Sequence, residues 1–340
     1  MKATDKLAIG SKILASRLAG RPRPFFVQYS LLNGCNARCA YCDLPTHKER
    51  QFSFEQHAAI LEEFASLGAV RVKFLGGEPL LRHDIEELID HVNGLGMRSA
   101  MVTNGLLIPE KLDAIRKLSE LVISIDGSEA AHDRQRGVGT WKKVMRGIEI
   151  CAEEELDFFL SAVVTKESAG EIEWLLETAS RLGVMVNFQI PQYNEAVYGS
   201  EARNWLPSPH HIRQIIARII AAKAAGAPVL FTTRSYRRTL QWEDYAVERI
   251  EKPGEASPCA AGSYFVHMEP NGDLYPCVLH VGQFEPKNVV RDGVAAAWRH
   301  SNCHSCHACY NTWLNENRAI FSLHASVLGN FWQNYLRPRA

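Results

Sequence analysis

Phe26-Val27-Gln28-Tyr29-Ser30-Leu31-Leu32-Asn33-Gly34-Cys35-Asn36-Ala37-Arg38-Cys39-Ala40-Tyr41-Cys42 runs an apolar, β-prone segment straight into three cysteines on one short loop. Aromatic and β-branched residues favour a strand. Further strand-like runs recur at 70–75, 98–103, 121–125, 158–164 and 184–190. Helix-like segments at 54–67, 84–95, 108–117, 140–155, 171–182 and 209–225 separate or follow them. Strands alternating with helices of this length imply βαβ units and a parallel sheet. Six such units suit a partial (β/α)6 TIM-like barrel better than the eight of a closed one, with an open doubly wound sheet as the alternative. In a parallel α/β sheet the loops at the carboxyl ends of the strands build the active site, so the cysteine loop is placed for chemistry.

At 340 residues the chain is near the length where a second core is expected. With 46% apolar and 22% charged residues it has the composition of a soluble enzyme. Its 38 basic side chains balance 38 acidic ones, so no general field favours nucleic acid. Residues 1–25 read as a short basic amphipathic helix rather than a signal peptide, and no apolar run approaches a membrane span. The expected compartment is the cytoplasm, where clustered cysteines bind metal more often than they form disulfides. Three thiolates on one loop can hold three irons of a [4Fe–4S] cube and leave the fourth open, whereas a zinc site would need a fourth ligand such as His47.

The period changes after about residue 227, giving domains 1–25, 26–226 and 227–340. Residues 264–268 and 274–278 read as a hairpin around Glu269-Pro270-Asn271-Gly272-Asp273, where Asn-Gly supplies the turn. Pro253, Gly254 and Pro258 mark the approach to it. Cys259 and Cys277 flank this hairpin, and Cys303, Cys306 and Cys309 follow. A zinc knuckle could use the same cysteines with His304 or His307. Cys151, in a helical segment, reads as a small buried hydrophobe.

The loops decide between these metals by resemblance. Cys35, Cys39 and Cys42, with aromatic Tyr41 before the last, resemble the C-x3-C-x2-C signature of the radical S-adenosylmethionine (radical SAM) superfamily. Gly76-Gly77-Glu78-Pro79 resembles its "GGE" motif, which meets the methionyl ammonium. Asn104 and Ser124-Ile125-Asp126-Gly127 match the next two strand ends, the serine facing the ribose and carboxylate region. The 132–137 loop resembles the one whose arginine pairs with the methionyl carboxylate, a role that falls to Arg136. The likeness covers about residues 26–226. Cys259-x12-Gly272-x4-Cys277 also resembles the opening of the SPASM and twitch extensions, which hold auxiliary clusters. Five late cysteines depart from the seven of a full SPASM extension, so the resemblance implies one auxiliary [4Fe–4S] cluster. Its ligands would be Cys259, Cys277 and two of the last three, Cys303 and Cys306 being preferred and Cys309 able to replace either. Val278 stands where sulfatase-maturing relatives carry an aspartate base, so that role does not carry over.

The resemblance implies reductive cleavage of S-adenosylmethionine to a 5′-deoxyadenosyl radical, which takes hydrogen from a small-molecule or peptide substrate. It implies an electron donor such as flavodoxin or ferredoxin. The Gln189–Tyr193 loop is expected to border the adenosine. The 25 residues before the first strand are too short for a leader-recognition domain, so a peptide substrate would need a separate one. Residues 1–18 and 327–339 could touch a membrane surface, although closing the barrel bottom and capping the second module is the simpler role. The rival class is a zinc or iron–sulfur binding module without radical chemistry.

Overall fold

In the computed structural model, which describes residues 3–48, 51–192, 194–252, 259–331 and 334, the chain opens with α1 (Ala3–Leu18). Strands β1 (Phe26–Leu32), β2 (Arg71–Gly76), β3 (Arg98–Thr103), β4 (Glu120–Ser124), β5 (Phe158–Val163) and β6 (Met185–Gln189) follow, parallel and side by side in that order. The interleaved helices are α2 (Phe54–Ser66), α3 (Ile85–Gly94), α4 (Leu112–Arg116), α5 (Glu129–Arg136), α6 (Thr140–Glu153) and α7 (Ile172–Arg181), with α8 (Glu195–Tyr198) and α9 (Pro209–Ala224) after β6. This is a partial (β/α)6 barrel, its strands within a residue of where the sequence pattern put them. Residues 132–137 differ from expectation: all but Gly137 belong to helix α5.

The local reasons are ordinary. Ser53 and Gln56 form a reciprocal capping box that starts α2. In α3, Ile85, Leu88, Ile89 and Val92 are buried while Glu86 and Glu87 occupy its first turn, a 3.6-residue stripe facing the sheet. Each such buried side chain contributes about 1.5–3 kcal/mol. On β2, Val72 and Phe74 are buried on one face, in the main core, and Lys73 on the other, against the lumen.

The remainder comprises α10 (Thr233–Leu240), β7 (Arg249–Glu251), β8 (Phe265–Met268), β9 (Asp273–Tyr275), β10 (Lys287–Asn288), α11 (Val289–Asp292), α12 (Val294–Ser301), β11 (Cys306–Cys309), α13 (Thr312–Phe321) and α14 (Ala325–Phe331). The hairpin forms at the expected place, with Gly272 at φ +89° in its turn. Its first strand also pairs in parallel with β1, Phe265 opposite Phe26 and Met268 opposite Tyr29. One sheet of order β10-β9-β8-β1-β2-β3-β4-β5-β6 therefore spans the barrel and the hairpin. β11 pairs separately with β7.

Ile9 and Ile13 of α1 are buried with Phe25, Phe26, Leu314 and Phe321, and Asp5 pairs with Arg98 at 2.6 Å. No helix among the described residues is long and apolar enough to cross a membrane. Tyr193, Pro253, Gly254, Pro258, Trp332, Tyr335 and residues 337–339 lie outside the described residues.

Candidate active site

The loop after β1 carries Cys35, Cys39 and Cys42, all half-buried. The Ala37 N–H (3.4 Å) and the Asn104 amide (3.5 Å) point at the Cys35 sulfur, donors that favour thiolate over thiol. The Cys42 N–H turns back to the Cys39 carbonyl, and the Ala40 N–H donates to Gln135 O on α5 at 2.8 Å. Burial lifts the Cys39 thiol to about 12 against the pull of the nearby Arg136 cation. A soft cation that displaces the proton removes that penalty.

The loop after β2 abuts the cysteine loop. A Cβ on Gly77 would lie 2.1 Å from Gly34 O and 2.4 Å from Asn33 O, so only glycine fits. Glu78 is fully buried. Its carboxylate accepts from Leu80 N–H (3.1 Å), the Thr103 hydroxyl (2.9 Å) and Asn104 N–H (2.7 Å). Burial nevertheless raises its pKa to about 7. Glu78 thus clamps the ends of β2 and β3 together, and these three donors occupy the carboxylate expected to meet an ammonium.

A second clamp lies opposite. The Arg136 fork, expected to meet the methionyl carboxylate, meets one from within the chain. Its Nε and Nη2 donate to the two oxygens of buried Asp126 at 2.7 and 3.1 Å. Asp126 also accepts from the Tyr41 hydroxyl (3.0 Å) and Val163 N–H (3.0 Å). This strut ties the cysteine loop to β4, β5 and α5. Ser124, at the end of β4, is half-buried.

The late cysteines divide sharply. Cys277, Cys306 and Cys309 are buried, Cys259 is partly so, and Cys277 lies within electrostatic reach of the other three. Burial holds the Cys306 thiol near 12. The His280 ring nitrogen Nδ1 sits 3.3 Å from the Cys277 sulfur. Cys303 is exposed, its thiol directed at Arg299 O at 3.8 Å. Thus the sequence preference for Cys303 and Cys306 meets a structure that gathers Cys306 and Cys309 instead.

The one set of three potential ligand atoms found mutually within 4.8 Å, among the described residues, is His280, His304 and Cys306. His304 has no lone pair to give, because its Nδ1 accepts from Cys306 N–H and its Nε2 meets Ala261 O at 2.8 Å. No set of three cysteine sulfurs among the described residues lies mutually within 4.8 Å.

A family model for the radical SAM superfamily matches residues 29–179, which run from β1 into α7 and include every loop just described. Residues 29–179 carry a radical SAM domain. Among its relatives, AdoMet-dependent heme synthase of Nitratidesulfovibrio vulgaris is 26% identical over 278 residues, covering 76% of this chain and 74% of that protein. PqqA peptide cyclase of Gluconobacter oxydans is 28% identical over 278 residues, covering 77% and 72%. SuiB of Streptococcus suis, solved with S-adenosylmethionine bound, shares the fold with a TM-score of 0.64 at 19% identity, covering 84% and 68%.

Radical SAM enzymes use a [4Fe–4S] cluster and S-adenosylmethionine, which together supply one-electron cleavage to a carbon radical. The half-buried triad fits such a cluster. Below it the barrel lumen holds a cavity of about 780 Å³, lined by Tyr41, Lys73, Phe159, Gln192 and Trp313 and reaching α1 and α14. Pattern reading missed its charges. Buried Lys73 lies 3.7 Å from Glu120, which also pairs with Arg71, and burial lowers the Lys73 pKa to about 8, Arg71 adding to the effect. The available signal was two cations at alternate positions of a strand buried on both faces.

Proposed function

We propose that this radical SAM enzyme abstracts hydrogen from an apolar part of a substrate seated in the lumen, aided by one auxiliary [4Fe–4S] cluster. Cys35, Cys39 and Cys42 would hold the first cluster, leaving one iron for the amino and carboxylate groups of S-adenosylmethionine. Tyr41, Gly76, Gly77, Glu78, Asn104, Ser124, Asp126 and Arg136 would frame that cofactor. Within the frame, Glu78 and Arg136 act as the clamps that fix the loop ends. Cys259, Cys277, Cys306 and Cys309 would hold the auxiliary cluster.

The carrying observation is the presence of two separate thiol sets, one half-buried on the loop whose Tyr41 lines the cavity and one largely buried. A peptide substrate is supported by the relative named for a peptide, PqqA peptide cyclase. A small-molecule substrate is supported by the relative named a heme synthase. Anaerobic reconstitution tests the core of the proposal: iron and sulfide for about two cubes per chain, and 5′-deoxyadenosine on reduction with S-adenosylmethionine. Stoichiometric zinc with no such product would refute it. Assays with precursor peptides and with small-molecule candidates, scored by substrate-dependent 5′-deoxyadenosine, separate the two substrate classes.

A further inference from the structure

Helix α10 carries Arg234, Arg237 and Arg238 within five residues. Arg234 and Arg237 are exposed and Arg238 is half-buried. None of the three makes an ion pair or a side-chain hydrogen bond among the described residues. With Lys223, His324 and Asn330 they line a concavity of about 640 Å³ between α10 and α14. Glu316, buried beneath α10, is engaged elsewhere: its Oε2 accepts from Thr232 N–H and from the Thr232 and Ser235 hydroxyls at 2.7–2.9 Å. In a chain of zero formal charge, this concentration of unpaired cations is a local feature.

Its position gives it meaning. α10 packs against the segment that ends in Cys309: the Thr239 hydroxyl donates to Tyr310 O at 2.6 Å, and Trp242 and Tyr245 pack edge-on against Tyr310. Arg238 lies within electrostatic reach of Cys309 and Cys259, and Arg318 within reach of Cys259. Burial lowers the Arg238 pKa, and the neighbouring Arg318 and Arg234 cations lower it further. Clustering cations this way is unfavourable unless negative charge arrives. A ligated cube accounts for Arg238 and Arg318 on the inner side. Arg234 and Arg237 share a helix face with Arg238 at i, i+3 and i+4 spacing and are exposed where Arg238 is half-buried.

We propose that the arginine face of α10 is the docking surface for a small acidic one-electron carrier protein, which reduces the chain through the auxiliary cluster. This rests on the auxiliary cluster proposed above. One electron leaves the reduced carrier and enters the oxidised auxiliary cluster; no bond is made or broken, and the carrier departs one electron more oxidised. Complementary charge would speed encounter and make it salt-dependent.

The test uses the reconstituted full chain with flavodoxin hydroquinone as the probe and dithionite as a small control reductant. Stopped-flow bleaching of the cluster absorbance gives the rate. Raising salt from about 0.1 to 1 M shortens the screening length from about 10 to 3 Å and should slow flavodoxin reduction about tenfold or more. Arg234→Glu with Arg237→Glu should slow it about tenfold at low salt, with iron content and dithionite rate unchanged. Arg234→Lys with Arg237→Lys should retain most of the wild-type rate. A flavodoxin rate indifferent to salt and to charge reversal overturns the docking surface while leaving two clusters in place. So does a rate insensitive to charge reversal while inorganic phosphate raises thermal stability in an Arg237-dependent way, which would make the concavity a small-anion site. Iron for a single cube would remove the auxiliary cluster itself, and this proposal with it.

Discussion

The two thiol sets of this radical SAM protein are built in opposite ways. The early set comes from one loop and stays half-buried beside Tyr41, which lines the lumen. The late set is drawn from the approach to the hairpin, its second strand end and β11, and three of its four sulfurs are buried. A loop can leave one corner of a guest open because all its ligands approach from one side. Ligands collected from distant segments close around the guest and become part of the core. The first arrangement suits chemistry at an exposed corner, the second a fixed group that stores charge.

Removing one thiol from each set should produce the largest contrast. Cys39→Ala should abolish 5′-deoxyadenosine and leave iron for about one cube, whereas Cys306→Ala should also lose about one cube yet retain some of that product. The assay is iron content beside chromatography of the nucleoside. Cys303→Ala should match wild type in both, and a loss of iron there would redraw the late set.

Next is the strut behind the open loop. Arg136→Met leaves the Asp126 carboxylate buried without its partner and should cost about 3–5 kcal/mol, read by urea unfolding. A loss below about 1 kcal/mol would show that the loop does not depend on this pair.

Glu78 gives a pH signature. In the folded chain it binds its proton near pH 7, against about 4.5 unfolded, so between those values the folded state holds more proton. Its contribution to stability therefore falls as pH rises from about 4.5 to 7, by on the order of 2–3 kcal/mol. Urea midpoints of wild type and Glu78→Gln across that range isolate the slope, which should be absent from the variant.

The smallest effect concerns the closed set. His280→Phe removes a hydrogen bond to the Cys277 sulfur, worth about 1 kcal/mol. Loss of a donor to a thiolate should shift the auxiliary potential negative by roughly 40–60 mV. An electron paramagnetic resonance redox titration would read it, with the first cluster unmoved.

Alternation of period made the six parallel strands legible, and loop motifs after four of them marked one mouth of the barrel. Partner choice was not legible. Arg136 suits any carboxylate, and only the folding of 129–136 into α5 presents it to Asp126. Cys303-x2-Cys306-x2-Cys309 offers two equivalent pairs by spacing alone. The choice is made by β11 pairing with β7, which carries Cys306 and Cys309 inward while Cys303 stays at the exposed end of α12. Lys73 and Glu120 become neighbours only when β2 and β4 curve around one lumen.

The pairing of β8 with β1 has a consequence for anyone trimming the chain. A fragment ending near residue 226 would bare the whole hydrogen-bonding margin of β1 and uncover Phe25 and Phe26, which are packed against Tyr264, Phe265 and Phe321. Raw strand margins beside exposed aromatics recruit other chains. Such a fragment should precipitate or self-associate rather than behave as a minimal catalyst, although it would retain every residue of the first cysteine loop.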